Sequence, residues 1–456
     1  MLSTFVLLYL LVTIVIGLLA ARLVKNSNDF LLAGRKLPLF MSAAALFATW
    51  FGAETVLGAS SAFAQDGLIG VVEDPFGASL CLFLIGIFFA RKLYRMDILT
   101  FGDFYRLKYG KWVELFASIC LILSYLGWIA AQMVATGLVI HLVSGMDMQL
   151  GIIIGSLAVV LYTFFGGMWS VAVTDSVQMV LIIVGLSAAL FQLHQLQPAA
   201  DLIAETPRTF FHFLPENKPV DMLNYFAAWI TIGLGSIAQQ DVFQRVMASN
   251  TEKTAVRASY LGGFLYLTIA LIPLLLALYG RSFLPEFLTD EKDIQLMLPS
   301  LIMKHTSLWV QIVFFGALLS AIMSTASGAL LAPSSILGEN IISHFLIKDQ
   351  PEKLLLFSRI GVLVVAAVSL TMALLKSNIY ELVGESSALS LVSLFVPMVA
   401  GIYWKRANTA GALLSIFSGM LIWLLCSYLG TVINPIIYGL GASIAGMLFG
   451  GFFIRK

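Results

Sequence analysis

The sequence predicts an all-α polytopic membrane protein, and three observations predict it. The 456 residues are 60% hydrophobic and 11% charged, with a mean hydropathy of +0.95, outside the range of a soluble domain. The apolar residues gather into about thirteen runs, each long enough as a helix to cross about 30 Å of hydrocarbon. The basic residues between the runs are segregated. With the N-terminus outside, 20 of the 26 Lys and Arg fall in inner connections and 6 in outer ones, the bias that orients membrane proteins. This expects an integral protein of the plasma or bacterial inner membrane, with its C-terminus in the cytoplasm.

The runs lie near 3–23, 38–65, 70–90, 112–141, 149–165, 171–196, 222–243, 256–280, 306–333, 355–376, 379–402, 408–429 and 432–453. The first lacks a basic leading region and is followed by its positive charges, so it reads as a span and not a signal peptide. In the second, Gly52, Ala53 and Gly58 weaken the helix at the depth of Glu54. A break there frees carbonyls such as those of Ala48 and Phe51. The basic, amphipathic stretch from Asp97 to Gly110 is expected along the inner membrane face.

Gly166-Gly167 marks a tight inner connection before the sixth span, where Asp175 and Gln178 share a face. Asp175 either favours the helix N-terminus or lends charge to a cation site. The connection 197–221 carries four prolines and is too short to fold alone. In the seventh span, Gly233, Gly235 and Ser236 precede Gln239, Gln240 and Asp241. Two glycine-interrupted spans, five apart in order, point to a transporter built from inverted repeats. Glycines that merely allow close packing are the plainer reading of either span taken singly.

The ninth span carries a hydroxyl stripe. Ser320, Ser324 and Ser327 share one helical face, edged by Thr325 and the Ala321 carbonyl. Single Ser residues in apolar helices usually bond back to the preceding turn. A row of oxygens at membrane depth is what a hard cation such as Na⁺ needs.

Other classes are excluded or weakened. A net charge of +1 gives no basis for nucleic-acid binding. Three cysteines without a C-x-x-C spacing suggest neither a disulfide framework nor a zinc site. No nucleophile–base pattern accompanies Glu54 or Asp175, so an enzyme is not expected. A channel would lack coupling, and a transporter-like sensor would need an output domain, which is not expected here. Gly446 and Gly450 form a GxxxG too weak to fix an oligomeric state.

GGMWSVAVTDSVQ at 166–178, SAIMSTAS at 320–327 and GIYWKRANTAGALLSIFSG at 401–419 together resemble the signatures of the sodium:solute symporter family. ATW at 48–50, LYTFFGGMWSVAVTDSVQ at 161–178 and VFQRVMAS at 242–249 are similar to its high-affinity choline transporter branch. The resemblance implies a LeuT-type inverted-repeat fold over one transmembrane domain, 1–456. An extra N-terminal helix would span 3–23, the repeats 38–196 and 222–402, and extra C-terminal helices 408–453. It implies Na⁺ as coupling ion, held by the carbonyls of Ala48, Phe51 and Ala321 and the hydroxyls of Ser324 and Thr325. Asp175 and Ser327 match an accessory or second-ion site, but Gly328 stands where that site needs another hydroxyl, so one ion is expected. Trp50 and Trp128 match two rings of a cation-holding cage; ordinary packing is the plainer reading. Gln239 falls where the third ring would be, and Glu54 where that branch has glycine. The implied function is Na⁺-coupled symport of a small organic solute by alternating access, choline or a related cation, with proline, a carboxylate or another polar solute as the alternative.

Overall fold

The computed structural model describes residues 2–215, 218–288, 294–347, 350–375 and 386–453. The predicted start of the eleventh span (379–385) lies outside these, as do Lys292, Lys348, Lys376, Arg455 and Lys456 of the charge argument. Eleven helices among the described residues are long and apolar enough to cross a membrane. The first, α1, is Leu2–Ala21. The second predicted span is split into α2, Leu39–Ala48, and α3, 54–66. The third follows as α4, 72–94. The short α5, Phe101–Tyr109, precedes α6, Lys111–Ser144.

The fifth and sixth predicted spans are one unit, α7, Met148–Leu196, divided at Gly167 (φ 48°, ψ −137°). That left-handed φ favours glycine, and a Cβ there would strike Phe30. After it come α8, Pro219–Ala238, α9, Gln240–Ala248, α10, Glu252–Phe283, and α11, Leu308–Leu346. The last four are α12, Leu354–Leu375, α13, Ser386–Tyr403, α14, Thr409–Leu429, and α15, Pro435–Phe453.

The helix bearing the hydroxyl stripe is the centre of the bundle. In α11, 72% of the apolar window is buried, against 22% in α14 and 28% in α1. It packs on α7, α6 and α12, while α1 lies outside α7, and α14 and α15 pair with each other. Exposed apolar residues on the outer helices, such as Leu7, Leu11, Leu421 and Leu425, are what a helix facing lipid carries.

Two breaks fall where glycine weakened the pattern. Residues 49–52 are not helical, and helix resumes at Ala53. Gly58, expected to contribute, lies instead within a π-helical turn of α3; its neighbours complete the backbone bonding there. α8 ends in a 3₁₀ turn, Ser236–Ala238, and Gln239, between α8 and α9, is extended (φ −91°, ψ 146°). The amphipathic stretch forms a short helix that rests on the bundle. α5 begins at a capping box of Thr100 and Asp103 and buries Phe101, Phe104 and Tyr105. Tyr105 and Tyr109 donate to the carbonyls of Leu394 (2.9 Å) and Pro397 (2.6 Å), so its apolar face docks on α13 while Arg106, Leu107 and Lys108 stay exposed.

Candidate functional site

The break between α2 and α3 faces α11. Ser324 Oγ lies 3.2 Å from the Ala48 carbonyl oxygen, and Thr325 Oγ1 lies 3.3 Å from the same atom. Close approach is possible because residue 52 is glycine; a Cβ there would collide with the Thr325 side chain and the Glu54 carboxylate. Ala48, Phe51, Ala321, Ser324 and Thr325 are all fully buried. Of the expected donors, the Ala48 carbonyl at the end of α2 and the Ser324 and Thr325 hydroxyls lie together, a set whose chemistry suits a monovalent hard cation.

The rest of the stripe divides by hydrogen bonding. Ser320 bonds to Tyr9 of α1 at 2.7 Å and back to the Gly316 carbonyl, so it ties α1 to the core. Ser327, expected as an accessory donor, donates to the Ser324 carbonyl three residues earlier at 3.0 Å. The bond uses the hydroxyl proton and not the oxygen's lone pairs. Asp175 does reach the predicted cluster: its Oδ1 accepts from Ser324 at 2.5 Å.

Sequence reasoning missed the partner of Asp175. Arg245 of α9, 1% exposed, brings Nη2 within 3.6 Å of Asp175 Oδ2. Its Nε donates to the Ala45 carbonyl (2.9 Å) and its Nη1 to the Asp241 carbonyl (3.2 Å). A Cβ on residue 328 would meet this guanidinium. Gly328 is thus the space into which Arg245 reaches, and a fixed cation already faces the acid beside which a second ion was considered.

Beyond the same break lies a second pocket. Trp50, Glu54, Trp128 and Gln239, the four residues expected to contact solute, all line it. Glu54 accepts from Trp128 Nε1 (3.0 Å) and from Gln132 Nε2 (2.6 Å), and Gln132 Oε1 accepts from the Ala53 backbone N–H (3.1 Å). Trp50 donates its indole N–H to Asp241 Oδ2 at 2.9 Å, and Tyr125 bonds the other oxygen. Both indoles are therefore pinned by their edges. Trp128 also stacks on Tyr125, centroids 5.8 Å apart, so one of its faces is already covered.

A second pocket acid, Asp74 of α4, was overlooked. It accepts from Thr55 (2.7 Å) and Tyr266 (2.8 Å), and Tyr266 also donates to the Trp50 carbonyl (3.0 Å). The signal existed in the Glu73-Asp74-Pro75 run, since an acid inside an apolar span marks function by default. Among the described residues no Lys, Arg or His lines the pocket. Gln239 Nε2 and Ser386 Oγ are buried without hydrogen-bond partners.

Comparisons with known proteins agree with this architecture. The model of the sodium:solute symporter family matches residues 30–419. The human high affinity choline transporter 1 is 29% identical over 91% of this chain and 75% of its own length. The sodium/pantothenate symporter of Haemophilus influenzae is 25% identical over 95% and 93%. The osmoregulated proline transporter of Bacillus subtilis is 26% identical over 91% and 87%. Among solved structures, a substrate-bound, outward-open Na⁺-coupled sialic acid symporter superposes with a TM-score of 0.84 at 20% identity, covering 100% of this chain and 98% of that one.

Proposed function

Because the chain belongs to the sodium:solute symporter family, with the LeuT-type fold and Na⁺ as its coupling ion, we propose that the small organic solute it carries is a cation bearing an acceptor oxygen. The observation that carries this reading is the pair of pocket carboxylates, Glu54 and Asp74, met only by neutral donors. Buried carboxylates are costly without a compensating cation, and a cationic solute supplies it. Trp50 and Trp128 add aromatic walls. The unpartnered Gln239 Nε2 and Ser386 Oγ favour a hydroxyl or carbonyl on the solute. Choline has both features; zwitterionic proline would bring its own carboxylate toward the two acids, and a carboxylate cargo would bring no counter-charge at all.

The sodium ion sits, in this reading, between Ala48, Phe51, Ala321, Ser324 and Thr325. Arg245 neutralises Asp175, so one ion suffices. The repeats run over 38–196 and 222–402, with the helices at 3–23 and 408–453 outside them. The N-terminus faces outward, as the distribution of basic residues supports. Ion and solute bind at midmembrane from outside, the bundle rocks, and both leave inward. A tenfold Na⁺ gradient provides about 1.4 kcal/mol, and a potential of about 100 mV provides about 2.3 kcal/mol per charge. Together, roughly 3.7 kcal/mol sustains several-hundred-fold accumulation of a neutral solute, and a solute cation adds its own potential term.

The test is uptake by proteoliposomes with and without an inward Na⁺ gradient. The panel holds choline, betaine, proline, pantothenate and sialic acid. Choline or another cation should be taken up in a Na⁺-dependent manner and lost in Glu54→Gln. Na⁺-driven uptake confined to the neutral or anionic members would overturn the cation reading.

A further inference from the structure

We propose a transition-metal site of the Zn²⁺ class where α5 meets the end of α11, remote from the ion and solute pockets. Its ligands are Asp103 of α5 and Glu339 and His344 of α11. One ligand atom from each lies within 4.8 Å of the others. The last turns of α11, Leu337–Leu346, are π-helical. Residues five apart share a face in that geometry, so Glu339 and His344 point the same way. In an ordinary α-helix they would diverge.

The histidine is prepared as a ligand. Its Nδ1 lies 2.6 Å from Glu114 Oε1, an oxygen that also accepts from Asn340 Nδ2 at 2.9 Å. Glu114 is fully buried. A carboxylate behind one imidazole nitrogen fixes the proton there and turns the other nitrogen's lone pair outward, the usual support of a metal-bound histidine. That other nitrogen, Nε2, stands 3.5 Å from Glu339 Oε1. This is longer than an N–H···O bond. It matches the roughly 3.4 Å that separates two ligands about 2.1 Å from a tetrahedral metal. Asp103 is held by Asn340, which donates to its Oδ1 at 2.8 Å.

A second observation concerns the charge balance behind the histidine. Glu114 Oε2 is buried without a hydrogen-bond partner, and its ion-pair partner, the Arg106 guanidinium, is half-exposed and 3.8 Å away. Three carboxylates thus surround one arginine and one imidazole. One imidazole and two carboxylates form a three-ligand set that leaves a fourth position for water. Bound metal joins α5 to the end of α11 and, through Glu114, to α6, so it stabilises that arrangement of the bundle by mass action.

The experiment titrates Zn²⁺ into the purified full-length protein in nanodiscs. Affinity is read by calorimetry and thermal stability by tryptophan fluorescence. The expected result is one Zn²⁺ per chain, a raised midpoint, and at least tenfold weaker binding in both His344→Ala and Glu339→Gln. His212→Ala, in an outer connection, should bind as the wild type does. Co²⁺ should give the visible absorption of a low-symmetry N/O site in the wild type and lose it in His344→Ala. If a variant is unstable without metal, the other variant and the Co²⁺ spectrum still decide. Equal Zn²⁺ affinity in the wild type and both variants, or no Co²⁺ band in the wild type, would overturn the site. A stability change in the variants with unaltered Zn²⁺ affinity would also overturn it, leaving His344 as a protonated partner of its acids.

Discussion

Asp175 and Arg245 are both buried, and each holds one oxygen or nitrogen toward the other without a hydrogen-bond partner. Breaking a buried pair by removing one member costs about 3–5 kcal/mol, chiefly because the remaining charge is uncompensated. Arg245→Gln should therefore lower the thermal unfolding midpoint sharply, and adding Asp175→Asn should restore part of the loss. A double variant no more stable than Arg245→Gln alone would show that the guanidinium's bonds to Ala45 and Asp241 matter more than the pairing. On the other side of the cluster, Ser324→Ala with Thr325→Ala removes two hydroxyl oxygens from the proposed ion site. Half-maximal uptake should then need at least about tenfold more Na⁺, equivalent to about 1.4 kcal/mol. Unchanged Na⁺ activation in that variant would sink the assignment.

At the scale of elements, the breaks between α2 and α3 and between α8 and α9 carry the site, and both were legible as glycine-weakened spans. Their exact extents were not: Gly58 was absorbed into a π-turn, because bonding to the fifth residue rescues a helix that a propensity argument treats as weak. The stripe on α11 was legible as a face, but not its division. Periodicity reports which residues share a side, not whether a hydroxyl bonds inward, as in Ser327, or to another helix, as in Ser320. Asp74, Tyr266 and Arg245 join the site from α4, α10 and α9 only through tertiary packing, which spacing along the chain does not encode. Gly52→Ala offers a test at this scale. Its Cβ would press on Thr325 and Glu54, so Na⁺ affinity and solute affinity should fall together while the unfolding midpoint stays near that of the wild type. A loss of only one affinity would mean that the break is less shared than the geometry suggests.

For the whole molecule, the proposal that Arg245 stands in place of a second ion has a measurable outcome. Na⁺ activation of uptake should be hyperbolic, with a Hill coefficient near one. The charge moved per solute should be two for a monovalent cation carried with one Na⁺, and one for a neutral solute. Simultaneous current and tracer flux in oriented membranes read this ratio directly, and a sigmoidal Na⁺ curve with a larger charge ratio would contradict it. The fold class and the gathering of hydroxyls on one buried helix were available from composition and pattern, since the bilayer restricts a spanning chain to few solutions. The solute was less available, because selectivity rests on which donors of a shared fold remain unpaired.

The gap between α2 and α3 also has a kinetic meaning. Along residues 48–54, groups proposed for the ion and for the solute alternate: the Ala48 carbonyl meets α11, Trp50 and Glu54 line the solute pocket, and Trp50 is anchored to Asp241 next to the second gap. A strand so short cannot set one set of groups without constraining the other. Slippage, in which the ion crosses alone or the cargo leaks back uncoupled, would require the segment to adopt a half-ordered form. Tight stoichiometry then follows from the shortness of a single stretch of backbone, with no separate gate needed to enforce it.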